Sequence, residues 1–266
     1  MKFKLVLTLI GLSLFCGCNS TENISDIQET IKSQEVLETI SEKISQDIEK
    51  EMVTEIITTT ETETINLETK NYQNKFNTIL NVTPLSQYPE LATGCEITSL
   101  TMALNYMDVP ADKCDLADNY LDKGPVGKTD FRVAFEGDPR DGNSYGCYAP
   151  VIKKAADKYL NKKGSNLSAK DLTGSELEEL FTYIDNEIPV IVWGTLDCRK
   201  GHYSVTWHVN GKDLTWFTPE HCMVLVGYDD STIWVADPSH GDIRSYDRAT
   251  FKDRYNSLQK QAVIIS

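Results

Sequence analysis

Residues 220–237 read EHCMVLVGYDDSTIWVAD. Two apolar runs, HCMVLVGY and TIWVAD, flank Asp229-Asp230-Ser231, and the pattern predicts an antiparallel hairpin. Just upstream, YSVTWHV and KDLTWF flank Asn210-Gly211, the strongest short-range hairpin signal. IPVIVWGT, from residue 188, is a continuous apolar run of the buried-strand kind, and QAVIIS closes the chain as a last strand. Earlier in the chain the period changes. In TGCEITSLTMALNYM, residues 93–107, Ile97, Leu100, Leu104 and Met107 recur at helical spacing, with Thr93 and Glu96 placed as a capping box. FEGDPRDGNSYGCYAP, residues 135–150, is too rich in Gly and Asp to be anything but largely loop. Pro150 opens a short helix through Lys158, and Thr173 with Glu176 caps a further one, ELEELFTYIDNE. Helices first and an antiparallel sheet after them predict an α+β fold.

The hairpin also carries chemistry. His221 starts its first strand and Asp237 ends its second, so the hairpin brings the two ends together. With an odd number of residues in the loop, both side chains fall on one face, because side chains alternate along strands. An Asp beside a His orients the imidazole and stabilises its charged form. An imidazolium facing Cys95 would favour a thiolate, which is the nucleophile of a thiol, and the first turn of a helix acts in the same direction. His202 and His208 belong to the Asn-Gly hairpin and His240 to a polar turn, which predicts surface roles. Cys222 adjoins His221 but points to the opposite face, into the core. Asp229, Asp230 and Asp242 compete with Asp237 for the orienting role. Trp193, Trp207, Trp216 and Trp234 lie on strands and pack the sheet, with one of them a candidate to line the substrate groove.

Three separated segments together resemble a known family. SQYPELATGCEITSLTMALNYM is similar to the nucleophile segment of the C39-like peptidases, in the papain-like cysteine protease superfamily. GDPRDGNSYGCYAPVI resembles the family's middle segment, and EHCMVLVGYDD with IWVADPSHG its histidine strand and the Asp-Pro strand after it. The resemblance spans nearly all of residues 80–266, with the motifs in the family's order. It implies a papain-like α+β fold, with a helical lobe carrying the cysteine and an antiparallel sheet lobe carrying the histidine. It implies Cys95 as nucleophile, His221 as general base and acid, Asp237 as orienting residue, and Gln87 as side-chain donor to an oxyanion hole shared with the Cys95 amide. In papain the glutamine sits closer to the cysteine than the eight residues here, so the Pro89 loop must absorb the difference. The activity implied is hydrolysis of peptide or amide bonds, with no metal or organic cofactor, on peptides or cell-wall peptides. An amine acceptor in place of water would make the same site an acyltransferase or transpeptidase, and a cleft without turnover would be a surface binding module.

The amino terminus predicts where such an enzyme works. Lys2 and Lys4 precede an apolar run from Leu5 to Phe15, too short to span a bilayer but suited to export. The run ends in LFCGCNS, which resembles the lipobox of bacterial lipoproteins, with Phe15 where leucine is usual. That implies a signal peptide over residues 1–17 and a diacylated Cys18 holding the protein to the outer face of the cell membrane. Residues 19–75 carry thirteen Asp or Glu against five Lys, with no Gly, Pro or Trp. Leu37, Ile40, Ile44, Ile48 and Met52 keep helical spacing, and the following Thr/Glu-rich stretch has little to bury. The expectation is an acidic, partly helical stalk over residues 18–76 and a catalytic domain over 77–266. A net charge of −14 argues against nucleic acid as partner. The domain's five cysteines, Cys95, Cys114, Cys147, Cys198 and Cys222, leave at least one free thiol, and none has the C-x-x-C spacing of a metal or redox site.

Overall fold

The computed structural model describes residues 36, 37, 39–54 and 79–266. The signal segment, Cys18 and most of the expected stalk lie outside them. Two compact units divide the chain, Met1–Leu67 and Glu68–Ser266. In the first, residues 39–54 form a helix, α1, whose Ile40, Ile44, Ile48 and Met52 are about half exposed at 48–56 %. The apolar stripe expected there is present, and within this helix it is uncovered. Among the described residues no helix is long and apolar enough to cross a membrane.

The second unit begins its regular structure with α2 (Cys95–Tyr106) and α3 (Lys113–Asn119), then two very short parallel strands, β1 (Lys123–Gly124) and β2 (Phe135–Glu136). Helix α4 (Ala149–Lys163) precedes β3 (Ala169–Asp171) and α5 (Leu177–Asp185). The sheet strands follow: β4 (Val190–Thr195), β5 (His202–Val209), β6 (Lys212–Thr218), β7 (Glu220–Tyr228), β8 (Thr232–Asp237) and β9 (Asp242–Asp247). Helix α6 (Arg248–Ser257) and β10 (Ala262–Ile265) end the chain. Six strands pair antiparallel in the order β3-β10-β4-β7-β8-β9, and β5-β6 stands as a separate hairpin around Asn210 and Gly211, both at positive φ.

The central strands read as unbroken apolar runs because both faces of the sheet are covered. Ile191, Trp193, Cys222, Val263 and Ile265 pack with α2 and α4 in one cluster. Their alternating neighbours Val190, Val192, Met223, Leu225 and Ile264 pack with α5 and α6 in a second. Each fully buried Leu, Ile, Val or Phe contributes on the order of 1.5–3 kcal/mol, so these two faces dominate the stability of the unit. Trp193 is fully buried and its indole N–H donates to the Cys147 carbonyl at 2.9 Å, tying β4 to the loop before α4.

Several local expectations are corrected. Thr93 does not cap α2: Gly94 is the N-cap, without a side-chain bond, and the Thr93 hydroxyl turns to the Asp141 carbonyl at 3.2 Å. The capping box of α5 is Glu176 with Glu179, three residues later than the Thr173 pairing. Helix α4 runs five residues beyond Lys158, because Tyr159 and Leu160 continue its buried stripe to a left-handed cap at Gly164.

Candidate active site

The hairpin β7–β8 positions the first pair by a device the sequence did not announce. The strands close on Tyr228 opposite Ile233, which leaves four residues in the connection, an even number. On that register Asp237 would fall opposite Val224, on the face of Cys222. A bulge intervenes: Gly227 faces Trp234, but Leu225 faces Val235 and Val224 faces Ala236, with Val226 extra. The slip of one residue returns Asp237 to the face of Met223 and His221. His221 Nε2 and Asp237 Oδ1 then lie 2.7 Å apart, both residues buried.

Asp237 is the hub of this corner. Its Oδ1 also accepts from the Ser239 amide at 2.9 Å and the Ser239 hydroxyl at 2.8 Å, while Oδ2 faces His240 Nδ1 at 3.2 Å and the Tyr246 hydroxyl at 3.4 Å. Burial alone would raise its pKa, but the hydrogen bond and charge of His221, with Ser239, hold the carboxyl well below the usual range. The competitors are accounted for. Asp229 ties the hairpin connection through Ser231 and Thr232, and Asp230 and Asp242 are both exposed. His208 pairs with Asp213 on the exposed hairpin at 2.8 Å, and His202 is exposed.

With Nε2 engaged, the free ring nitrogen of His221 is Nδ1. A cleft of ≈ 150 Å³ is lined by His221 together with Cys95, Gln87, Tyr145, Glu220 and Ser239. The structure therefore brings Cys95, His221, Asp237 and Gln87 to one place. Gln87 reaches it because short turns at residues 88–90 and 92–93 fold back on the start of α2. Its backbone N–H donates to the Pro238 carbonyl at 2.9 Å, beside Asp237. Its side-chain amide donates to the Ala92 carbonyl at 3.0 Å, which leaves one Nε2 hydrogen uncommitted, and its Oε1 is buried without a partner.

The thiol itself departs from expectation. Cys95 is 6 % exposed, and its Sγ donates to Glu96 Oε2 at 3.3 Å. Burial pushes the thiol well above its ordinary value, and the carboxyl groups of Glu96 and Glu220 add to that rise. The helix start alone does not make a thiolate here. Glu96 was read as a capping residue and Glu220 was overlooked. The available signal was that each reactive residue has a glutamate at its side, Cys95-Glu96 and Glu220-His221, in otherwise apolar surroundings. Sulfur and carboxylate oxygens of Cys95, Glu96 and Glu220 lie within 4.8 Å of one another. Both oxygens of Glu96 already accept a hydrogen bond, one from the Cys147 amide at 2.7 Å and the other from the thiol.

Cys147 serves through its backbone, and the five cysteines of this unit are all free. Tyr145, on the cleft wall, packs edge-on against Trp207 with ring centroids 4.7 Å apart and against Trp216 at 5.8 Å. Two of the four tryptophans thus support the cleft, and the separate β5–β6 hairpin is what presents them.

Residues 79–263 match the Peptidase_C39 like family. Among individual relatives, Uncharacterized protein YvpB of Bacillus subtilis (strain 168) is 31 % identical over 182 residues, covering 66 % of this chain and 70 % of that one. Among solved structures, a Bacillus anthracis protein assigned to the C39-like peptidases superposes with a TM-score of 0.63 at 29 % identity, covering 71 % of this chain and 98 % of that one. The α+β, papain-like architecture and the extent of the match agree, and the chain belongs to the Peptidase_C39 like family.

Proposed function

We propose that this chain is an exported, membrane-anchored cysteine peptidase that cleaves peptide or amide bonds through Cys95, His221 and Asp237. The observation that carries the reading is the buried His221–Asp237 contact of 2.7 Å opening on the same cleft as Cys95. Asp237 fixes the ring with Nε2 inward, so Nδ1 is the nitrogen available to the thiol. Proton transfer from Sγ to Nδ1 gives thiolate and imidazolium, and the thiolate attacks the carbonyl carbon of the scissile amide. Negative charge on the carbonyl oxygen is met by the uncommitted Gln87 Nε2 hydrogen and the Cys95 amide. His221 then returns its proton to the leaving amine, and water, deprotonated by the same ring, releases the acid from the thioester. These steps need no metal or organic cofactor.

The site of action follows from the first eighteen residues, where the basic start, apolar run and Gly17-Cys18 support export and a lipid on Cys18. Residues 19–76 then act as an acidic spacer before the enzyme, and peptides or cell-wall peptides outside the membrane are its substrates. A peptide-library cleavage profile, with Cys95→Ala as blank, tests the reading. We expect cleavage by the native chain and none by the variant. Equal cleavage by both, or none by either with iodoacetamide failing to label Cys95, overturns it.

A further inference from the structure

Two acids beside a nucleophilic thiol need an explanation that the triad does not supply. Glu96 is fully buried, and Glu220 Oε1 is buried without a partner. Neither has an ion pair with Lys or Arg among the described residues. The two face one another beneath Gly146, where a Cβ would lie 2.3 Å from Glu96 Oε1 and 3.3 Å from Glu220 Oε2, so only glycine permits this approach. The groups around them are Cys95 on α2, Cys147 and Tyr148 before α4, and Cys222 on β7, with His221 lining the same cleft as Cys95 and Glu220. The only base in that set is the imidazole.

We propose that Glu96 is a positioning residue that holds the Cys95 thiol at rest, while Glu220 keeps the proton that lets two carboxyl groups share one buried space. When Glu96 is ionised, it accepts the S–H and disfavours negative charge on sulfur. When Glu96 takes up a proton, its carboxylate no longer competes, and the thiol proton passes to His221 Nδ1. That transfer is internal: the S–H bond breaks, an N–H bond forms, and no other reactant is required. The proposal rests on Cys95 being the nucleophile and adds a pH gate to it.

Acidities agree with this order. Burial raises Glu96 to about 7, against the pull of the Cys147 amide. Burial, and then the charge of Glu96, raise Glu220 further. Glu220 is therefore the acid that stays neutral while Glu96 titrates.

Site-specific alkylation of Cys95 by iodoacetamide, read by peptide mass spectrometry in EDTA, tests the gate. In the native chain the rate should fall at least about threefold between pH 6 and pH 8, before rising as the thiol itself ionises. Glu96→Gln should abolish the fall and raise the rate at pH 8 by about tenfold, one unit of thiol acidity. Glu220→Gln, which imitates the neutral acid, should keep the fall within about half a pH unit. Infrared difference spectra of the native chain should show one buried carboxyl losing its proton from pH 6 to pH 8. A second should stay protonated and vanish only in Glu220→Gln. A monotonic native profile, or one that Glu96→Gln leaves unchanged, overturns the proposal. If Glu96→Gln fails to fold, the infrared spectra decide. Since alkylation reads the thiol and not turnover, a chain that cleaves no peptide still tests the gate, and the two ideas fail separately.

Discussion

Asp237→Asn tests the triad most sharply, because it keeps the shape of a buried hub and removes its charge. Truncation to alanine would instead strand five partners: His221 Nε2, the Ser239 amide and hydroxyl, His240 Nδ1 and the Tyr246 hydroxyl. At 2.7 Å and an effective dielectric of ~20, the gross attraction between carboxylate and imidazolium is about 6 kcal/mol. Desolvation offsets most of it, and a hydrogen bond to a charged group nets about 1.5–3 kcal/mol. At about 1.4 kcal/mol per decade, kcat/KM should fall about 10- to 150-fold, measured on any peptide cleaved by the native chain. Stability supplies an independent check with a definite sign. The Asp237 carboxyl lies below its unfolded value, so its contribution is present above about pH 4 and is lost as pH falls toward the folded value. The gap in Tm between native and Asp237→Asn should therefore be full at pH 7 and shrink below pH 4. A loss of kcat/KM smaller than about threefold, with a Tm gap that ignores pH, would refute the assignment of Asp237.

Gln87→Ala removes the proposed side-chain donor and should lower kcat about 10²- to 10³-fold with KM little changed; an effect on KM alone would make Gln87 a binding residue. Trp193→Phe leaves the Cys147 carbonyl without its indole donor and should cost about 1–3 kcal/mol in urea unfolding at constant m. Cys18→Ala should move the protein from the membrane fraction to the medium or leave it as precursor, and unchanged membrane association would place the tether elsewhere. A chain starting at Asn71 should keep a cooperative thermal transition and full activity, and loss of the transition would mean that earlier residues pack against the domain.

What the sequence made legible was whatever a short window contains. Strands β4, β7 and β10 announce themselves because a sheet covered on both faces requires continuous apolar runs, and Asn210-Gly211 fixes its turn chemically. Cys95, His221 and Asp237 stood out as candidates because few residue types can do the chemistry proposed for them, and the fold brings them to one cleft edge. Helix α6 was not, since only Phe251 and Tyr255 of its ten residues are buried, too few to set a period. Strand β9, the sheet's exposed edge, alternates hardly at all. The bulge at Val226 leaves no compositional trace, because an extra apolar residue in an apolar run looks like length. The carboxyl pair joins residues 96 and 220, and only the tertiary fold makes them neighbours.

The bulge at Val226 sets the needs of the ladder against the needs of the chemistry. A chain that kept Val226 but paired it in the ladder, with no bulge between β7 and β8, would gain regular hydrogen bonding along the hairpin. It would also swing Asp237 to the Cys222 side and leave His221 without its anchor. Under the proposed mechanism that slip of one residue would abolish turnover in a better-knit sheet. Stability screens alone would favour substitutions that promote this slip, and selection for turnover would reject them.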